Sequence, residues 1–200
     1  VSLLNSYYQK ENLRSLFQYF RSRSAQIHIL IPDKPSVHTY RAKGLGKLAP
    51  EMRVEKHFRS MKIKIAEVLE ESGQGQMCPY QHVDWSEQIE ANDVYKHSLE
   101  AIRQLYANCP RFVEDVRHAT LPVIDNQEEA YEEAKEYLIK ELAFFRVAHL
   151  ILGVPQLLSV YHREWPLLNS ILEGKDYNLL PVLEHGFVIA SPPKQALNAL

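Results

Sequence analysis

Cysteine is scarce. Cys78 and Cys109 are the two in 200 residues, and their spacing fits neither a metal site nor a disulfide scaffold in a chain of this size. A reducing, cytoplasmic setting is therefore expected. A surplus of one charge is also lacking: 23 Lys and Arg stand against 25 Asp and Glu, a net charge of -2. No global field draws the chain to nucleic acid, so any such contact needs a local patch. No apolar run approaches the roughly 20 residues that span a bilayer, and no signal peptide is read. The hydrolase elbow G-x-S-x-G is missing, because Leu4 stands where its second Gly would follow Ser2, which removes support for that fold. Internal repeats and low-complexity segments are absent too.

What is present describes a globular domain. Apolar residues make up 46% and charged residues 24%, and the length suits one domain with a real core. Residues 1–4 are short and apolar. Residues 11–20 place Leu13, Leu16, Phe17 and Phe20 at helical spacing. Residues 27–33 read as a buried parallel strand closed by a proline turn. Residues 34–50 read as a connection rich in Pro and Gly, followed by a helix over 51–71 that S-G-Q-G-Q ends. A weak strand is read at 81–85, then a helix capped by Ser86 running to 108, and a short helix after Pro110. Further helices are expected over 126–145, capped by Asp125 or Asn126, and over 163–172, with a last strand at 186–190 ahead of S-P-P-K. The sum is an α/β, Rossmann-like three-layer domain over residues 1–200, with a mostly parallel sheet and helices on both faces. The chain begins at Val1, not Met, and a first strand is expected ahead of it.

Four groups of residues could carry chemistry. Ser2 falls where a first strand hands over to a loop, the edge at which open α/β sheets bind ligands; it reads as a turn serine or as a nucleophile needing an activating partner. Tyr137 and Glu141 are one helical turn apart. Phe144 continues their face, beside an apolar stripe of Leu138, Leu142 and Phe145. The pair reads as a holder for a small cation such as an amino group, or as a core-margin Tyr with Glu141 in a surface pair with a lysine. Tyr161 and His162 end an apolar run, and strand alternation would turn one toward a site and the other into the surrounding layer. Finally, the helix after Pro50 carries Arg53, Lys56, His57 and Lys64 on one side, next to its apolar stripe, with Arg59 and Lys62 on the other flank near Glu55. This surplus is either a solvated face or a track for a phosphate backbone.

Taken together, V-S-L-L-N-S at residues 1–6, I-L-I-P-D at 29–33, Y-L-I-K-E-L-A-F-F at 137–145 and L-G-V-P-Q-L-L-S-V-Y-H at 152–162 resemble the cyclodipeptide synthase family. The combination of Asn5, Tyr161 and His162 resembles its subfamily with Asn, Tyr and His at these places. The resemblance implies a fold like the catalytic domain of class I tyrosyl- and tryptophanyl-tRNA synthetases, and an enzyme that takes two aminoacyl-tRNAs and releases a cyclic dipeptide. It implies Ser2 as the nucleophile that carries the acyl groups, Tyr137 and Glu141 as holders of the amino group, and Tyr161 as a proton relay. Asn5 and His162 would fix local geometry. Arg53, Lys56, His57, Arg59 and Lys64 would meet the tRNA acceptor arm, and Leu30, Phe144 and Ser159 would line the first side-chain pocket. No cofactor, metal, membrane or obligate protein partner is implied, since an aminoacyl ester is already activated; the sequence lacks a synthetase HIGH signature, and S-M-K at 60–62 is too short for the second one. The family's Gly just before the residue matching Val1 is not seen. Two other readings stand beside this one: a non-catalytic tRNA-binding protein of synthetase-like fold, and a serine hydrolase using Ser2 and His162.

Overall fold

The structure is a computed structural model that describes residues 3, 5–24, 26–44, 49–71, 79–174 and 176–190. The expected strand-end at residues 1–4 (Leu3, in a turn, excepted), and with it Ser2, lies outside these residues, as do the S-G-Q-G-Q stop, Cys78 and the S-P-P-K tail.

Helix α1, Lys10–Arg21, buries Leu13 and Phe17, one turn apart. Strand β1, Ile27–Leu30, follows. The next element corrects the sequence reading: residues 34–50 are not all connection, because Asp33–Ala42 forms helix α2. Pro35 sits in its first turn, where an N–H would have no intrahelical acceptor. Its buried side, Pro35, Ser36, Thr39 and Tyr40, is half polar, so no apolar period announces it. Helix α3, Pro50–Glu71, buries Val54, Met61, Ile65, Val68 and Leu69, and leads to strand β2, Tyr80–Val83.

The helix expected from Ser86 to residue 108 is two elements with separate caps. Asp84 accepts a hydrogen bond from the Glu87 N–H at 2.9 Å and starts a wide π-type turn, Trp85–Glu90. Asn92 accepts from the Val94 N–H at 2.9 Å and starts helix α4, Asp93–Asn108. Helix α5, Pro110–Thr120, begins on its proline. The next helix begins later than its sequence suggests. Asp125 and Asn126 are left-handed (φ 54 and 59), unsuited to an extended cap, and a 3₁₀ turn at Glu128–Ala130 intervenes. Helix α6, Tyr131–Leu152, is stopped by Gly153 at φ 64, with Val154 N–H on His149 O at 3.0 Å, a Schellman closure. Strand β3, Leu157–Tyr161, precedes helix α7, Pro166–Glu173. Residues 163–165 stay outside that helix because a residue before proline avoids the helical region. Strand β4 is His185–Ile189.

The described strands form two parallel pairs. In one, β1 lies on β2 with Ile27 opposite Tyr80 and Leu30 opposite Val83; in the other, β3 lies on β4 with Leu157 opposite His185 and Tyr161 opposite Ile189. Helices surround them, as in a helix-rich α/β domain. Helix α6 is the hub: α2, α4, α5 and α7 all pack on it, which is why it is buried around most of its circumference. Two main cores result. One gathers Trp85, Ile102, Phe112, Leu142 and Leu168 around α4–α7. The other gathers Leu13, Phe17, Ile29, Tyr40 and Ile65 around α1–α3. Among the described residues no helix is long and apolar enough to cross a membrane.

Candidate active site

Helix α6 sets Tyr137 and Glu141 on one face, and the Tyr137 hydroxyl donates to Glu141 Oε1 at 3.1 Å. Glu141 is 5% exposed, so the alternative of a surface pair with a lysine does not hold. Burial pushes the Glu141 carboxyl up to about 7, against the opposing pull of the Tyr137 hydrogen bond and the Arg163 charge. Three phenols respond to that carboxylate. Burial, then the charge of Glu141, raises the pKa of Tyr137, Tyr161 and Tyr8. All three are therefore neutral hydroxyls at physiological pH.

The second wall comes from the end of β3. Strand alternation predicts opposite directions for Tyr161 and His162, yet both line one cleft. The reason is that β3 ends at Tyr161 and His162 sits in the bend beyond it. Tyr161 packs its ring on Trp165, centroids 5.1 Å apart. The Asn5 Nδ2 amide donates to His162 Nε2 at 2.7 Å, while Asn5 Oδ1 accepts from the Tyr7 N–H at 2.9 Å. Both ends of the amide are thus used, which asks for Asn and not Asp. A donor on Nε2 requires that nitrogen to be unprotonated, and burial lowers the His162 pKa in the same sense, with Arg163 adding to it. The rings of Tyr7 and Tyr8 close on the imidazole at 5.6 and 6.0 Å.

These groups open on a cleft of ≈ 490 Å³. Asn5, Tyr137, Glu141, Tyr161 and His162 all line it, with Thr39 of α2, Thr120 at the end of α5, and Arg163 and Trp165 after β3. Five sequence candidates are thereby brought together; Ser2 lies outside the described residues. The described lining of the cleft does not include Leu30, Phe144 or Ser159. Leu30 and Phe144 pack in the α4–α7 core, Phe144 against Trp85 at 5.7 Å. The Ser159 hydroxyl lies 2.6 Å from His185 Nε2, and His185 Nδ1 lies 2.7 Å from the Phe145 carbonyl oxygen. That carbonyl can only accept, so the imidazole N–H is on Nδ1 and the Ser159 hydroxyl donates to Nε2. Sequence reasoning missed Tyr8, Arg163 and Trp165. Tyr8 did leave a signal, since two adjacent tyrosines in the polar loop N-S-Y-Y need somewhere to be buried.

The basic residues of α3 divide. Arg53, His57 and Lys64 are half-buried; His57 bonds the Tyr40 hydroxyl, and Lys64 Nζ donates to the Tyr8 carbonyl at 3.1 Å. Lys56 and Arg59 are exposed and line a surface groove of ≈ 690 Å³ with Lys10, Lys64, Glu55 and Glu67. Within it, Arg59 pairs with Glu55 and Lys10 with Glu67, each at 2.6 Å. Among the described residues no group of three or more His, Cys, Asp or Glu converges as metal ligands.

Known proteins place this arrangement. The model of the family described as cyclodipeptide synthase matches residues 1–192. No curated protein sequence matches. Among solved structures, a CDPS from Staphylococcus haemolyticus aligns with TM-score 0.81 at 20% identity, over 96% of this chain and 88% of that one. A cyclodipeptide synthase from Bacillus thermoamylovorans gives 0.81 at 17%, over 96% and 86%. A Mycobacterium tuberculosis protein, whose structure is described as demonstrating that cyclodipeptide synthetases are related to type I tRNA synthetases, gives 0.78 at 20%, over 96% and 84%. At these identities the structures speak for the fold, and the family model speaks for the chain: it belongs to the cyclodipeptide synthase family.

Proposed function

We propose that the protein is a cytoplasmic, ATP-independent cyclodipeptide synthase that uses two aminoacyl-tRNAs and passes both acyl groups through esters of Ser2. The observation that supports this best is Glu141, a buried carboxylate bonded to Tyr137 at the wall of an open cleft. Such a group suits an amine that arrives on an activated ester and must be held while its carbonyl reacts.

The Ser2 hydroxyl attacks the ester carbonyl of the first aminoacyl-tRNA, its proton passes to the departing ribose oxygen, and the first tRNA leaves. Tyr161 serves as relay: a phenol held neutral by burial receives one proton as it gives up another. The amine of aminoacyl-Ser2 then attacks the carbonyl of the second aminoacyl ester, one of its protons passes to the departing ribose oxygen, and the second tRNA departs, leaving a dipeptidyl ester on Ser2. That attack needs the free amine. An α-amino group titrates near 8, and Glu141 near 7 is close enough to take its proton at little cost. In the last step the new terminal amine attacks the Ser2 ester, closing the six-membered ring and restoring the hydroxyl. Closure needs a cis peptide bond, a cost of about 2.5–4 kcal/mol, which holding the amine against Tyr137 and Glu141 offsets through proximity. Asn5 and His162 keep the cleft wall in place. Lys56 and Arg59 meet the acceptor arm, with Arg53, His57 and Lys64 beside them, and Leu30, Phe144 and Ser159 shape the first side-chain pocket from behind.

The test uses aminoacyl-tRNA labelled in the amino acid. Wild-type protein is expected to retain label after tRNA is removed and to release a cyclic dipeptide, and Ser2→Ala to do neither. A wild type that stays unlabelled with all twenty aminoacyl-tRNAs overturns the acyl-serine reading.

A further inference from the structure

The loop of residues 5–8 begins three positions after Ser2 in the chain, and it is held from two directions. Toward β3, Asn5 and the rings of Tyr7 and Tyr8 close on His162. Toward α3, Lys64 Nζ donates to the Tyr8 carbonyl oxygen at 3.1 Å. Its other backbone ties are local: Tyr8 N–H to Asn5 O at 3.3 Å, Tyr7 N–H to the Asn5 side chain, and Gln9 N–H at 2.9 Å and Asn12 Nδ2 at 2.7 Å to Tyr7 O. Lys64 reaches across from a helix 56 residues away in sequence. It is half-buried, on the shoulder of α3 beside the fully buried Ile65. An ammonium so placed has less freedom to meet an incoming phosphate than exposed Lys56 or Arg59.

Tyr8 makes this tie consequential. Tyr8 is 5% exposed, its ring lies against His162, and its phenol feels the Glu141 carboxylate. A shift of the Tyr8 backbone therefore moves the edge of the imidazole clamp and the surroundings of the amine holder together.

We propose that Lys64 is a positioning residue: through the Tyr8 carbonyl it fixes the loop that frames the acyl site to α3, the helix that carries the nucleic-acid groove. Its effect falls on the chemical step more than on tRNA affinity. The inference rests on the function proposed above. It differs from the phosphate role that the sequence suggests for this lysine, because the ammonium is committed to a backbone acceptor.

Two substitutions and two substrates test it. Lys64→Met keeps the aliphatic stem and removes the donor; Lys64→Arg keeps a donor. In the free protein, Lys64→Met is expected to speed amide hydrogen exchange at residues 7 and 8 about tenfold, the scale of one lost charge-assisted hydrogen bond. In turnover, kcat is expected to fall about tenfold with aminoacyl-tRNA and with an aminoacyl ester of the dinucleotide CA, which lacks the acceptor arm. KM for the tRNA substrate should stay nearly constant, and Lys64→Arg should recover most of both losses. The proposal is overturned if exchange is unchanged. It is equally overturned if Lys64→Met raises KM for tRNA while sparing kcat and the dinucleotide reaction, since Lys64 is then a phosphate contact. A wild type that turns over neither substrate removes the proposed function instead, and the exchange comparison then decides by itself whether Lys64 holds the loop.

Discussion

Glu141 carries a pH signature that separates its structural cost from its chemical use. Its carboxyl titrates at about 7 in the folded protein against 4.5 for the free group, so between those values the folded state binds more protons than the unfolded one. Stability then falls as pH rises through this window, by about 3 kcal/mol once both states are ionised. Glu141→Gln is expected to melt several degrees higher than wild type at pH 8 and to match it at pH 4, a comparison for calorimetry. The chemistry runs the other way: kcat/KM for aminoacyl-tRNA should fall below pH 7 as the carboxylate is lost, and Glu141→Gln should abolish turnover at every pH. The pairing of Tyr137 with Glu141 was legible from i, i+4 spacing. Its burial was not, because the groups that feel its charge, Tyr8 and Tyr161, come from other segments of the chain. The Asn5–His162 bond spans 157 residues, a separation that no local pattern encodes.

At the scale of elements, strong periods and caps were readable, while helices with mixed buried faces were not. Helices α1 and α3 carry regular apolar stripes and fall within a residue or so of their expected bounds. Helix α2 was missed because Ser36 and Thr39 sit in its buried side and a proline stands in its first turn. The helix stops allow a sharp comparison. Gly153 and Gly174 both sit at positive φ after a helix, at 64 and 72. A Cβ on Gly153 meets nothing within 4 Å, whereas one on Gly174 would run into the Leu179 carbonyl oxygen. Gly153→Ala should therefore cost only the backbone strain of about 1 kcal/mol. Gly174→Ala should cost roughly 2–4 kcal/mol, since the chain after α7 must also move. Parallel urea titrations of the two variants, fitted at a common m-value, measure the difference.

For the whole molecule, charge is a local matter. The net charge is -2, and the exposed cations of α3 share their groove with Glu55 and Glu67. Affinity for tRNA should depend on salt through a few contacts. Changing both Lys56 and Arg59 to Ala is expected to reduce the slope of log affinity against log salt by about two, one for each phosphate contact removed, as read by filter binding. An unchanged slope returns the groove to an ordinary solvated face. The α/β class was readable from the order of segments, since buried strand runs alternate with amphipathic helices; the division of the interior was not. Tyr8 belongs to the core of α1–α3, and Tyr161 packs on the core of α4–α7, so the site is assembled from both. Catalytic competence then has the logic of an AND gate: it exists only while both halves are folded. Under rising denaturant, turnover ends when the weaker half melts, whichever that is, and an assay of product becomes a gauge of the less stable core.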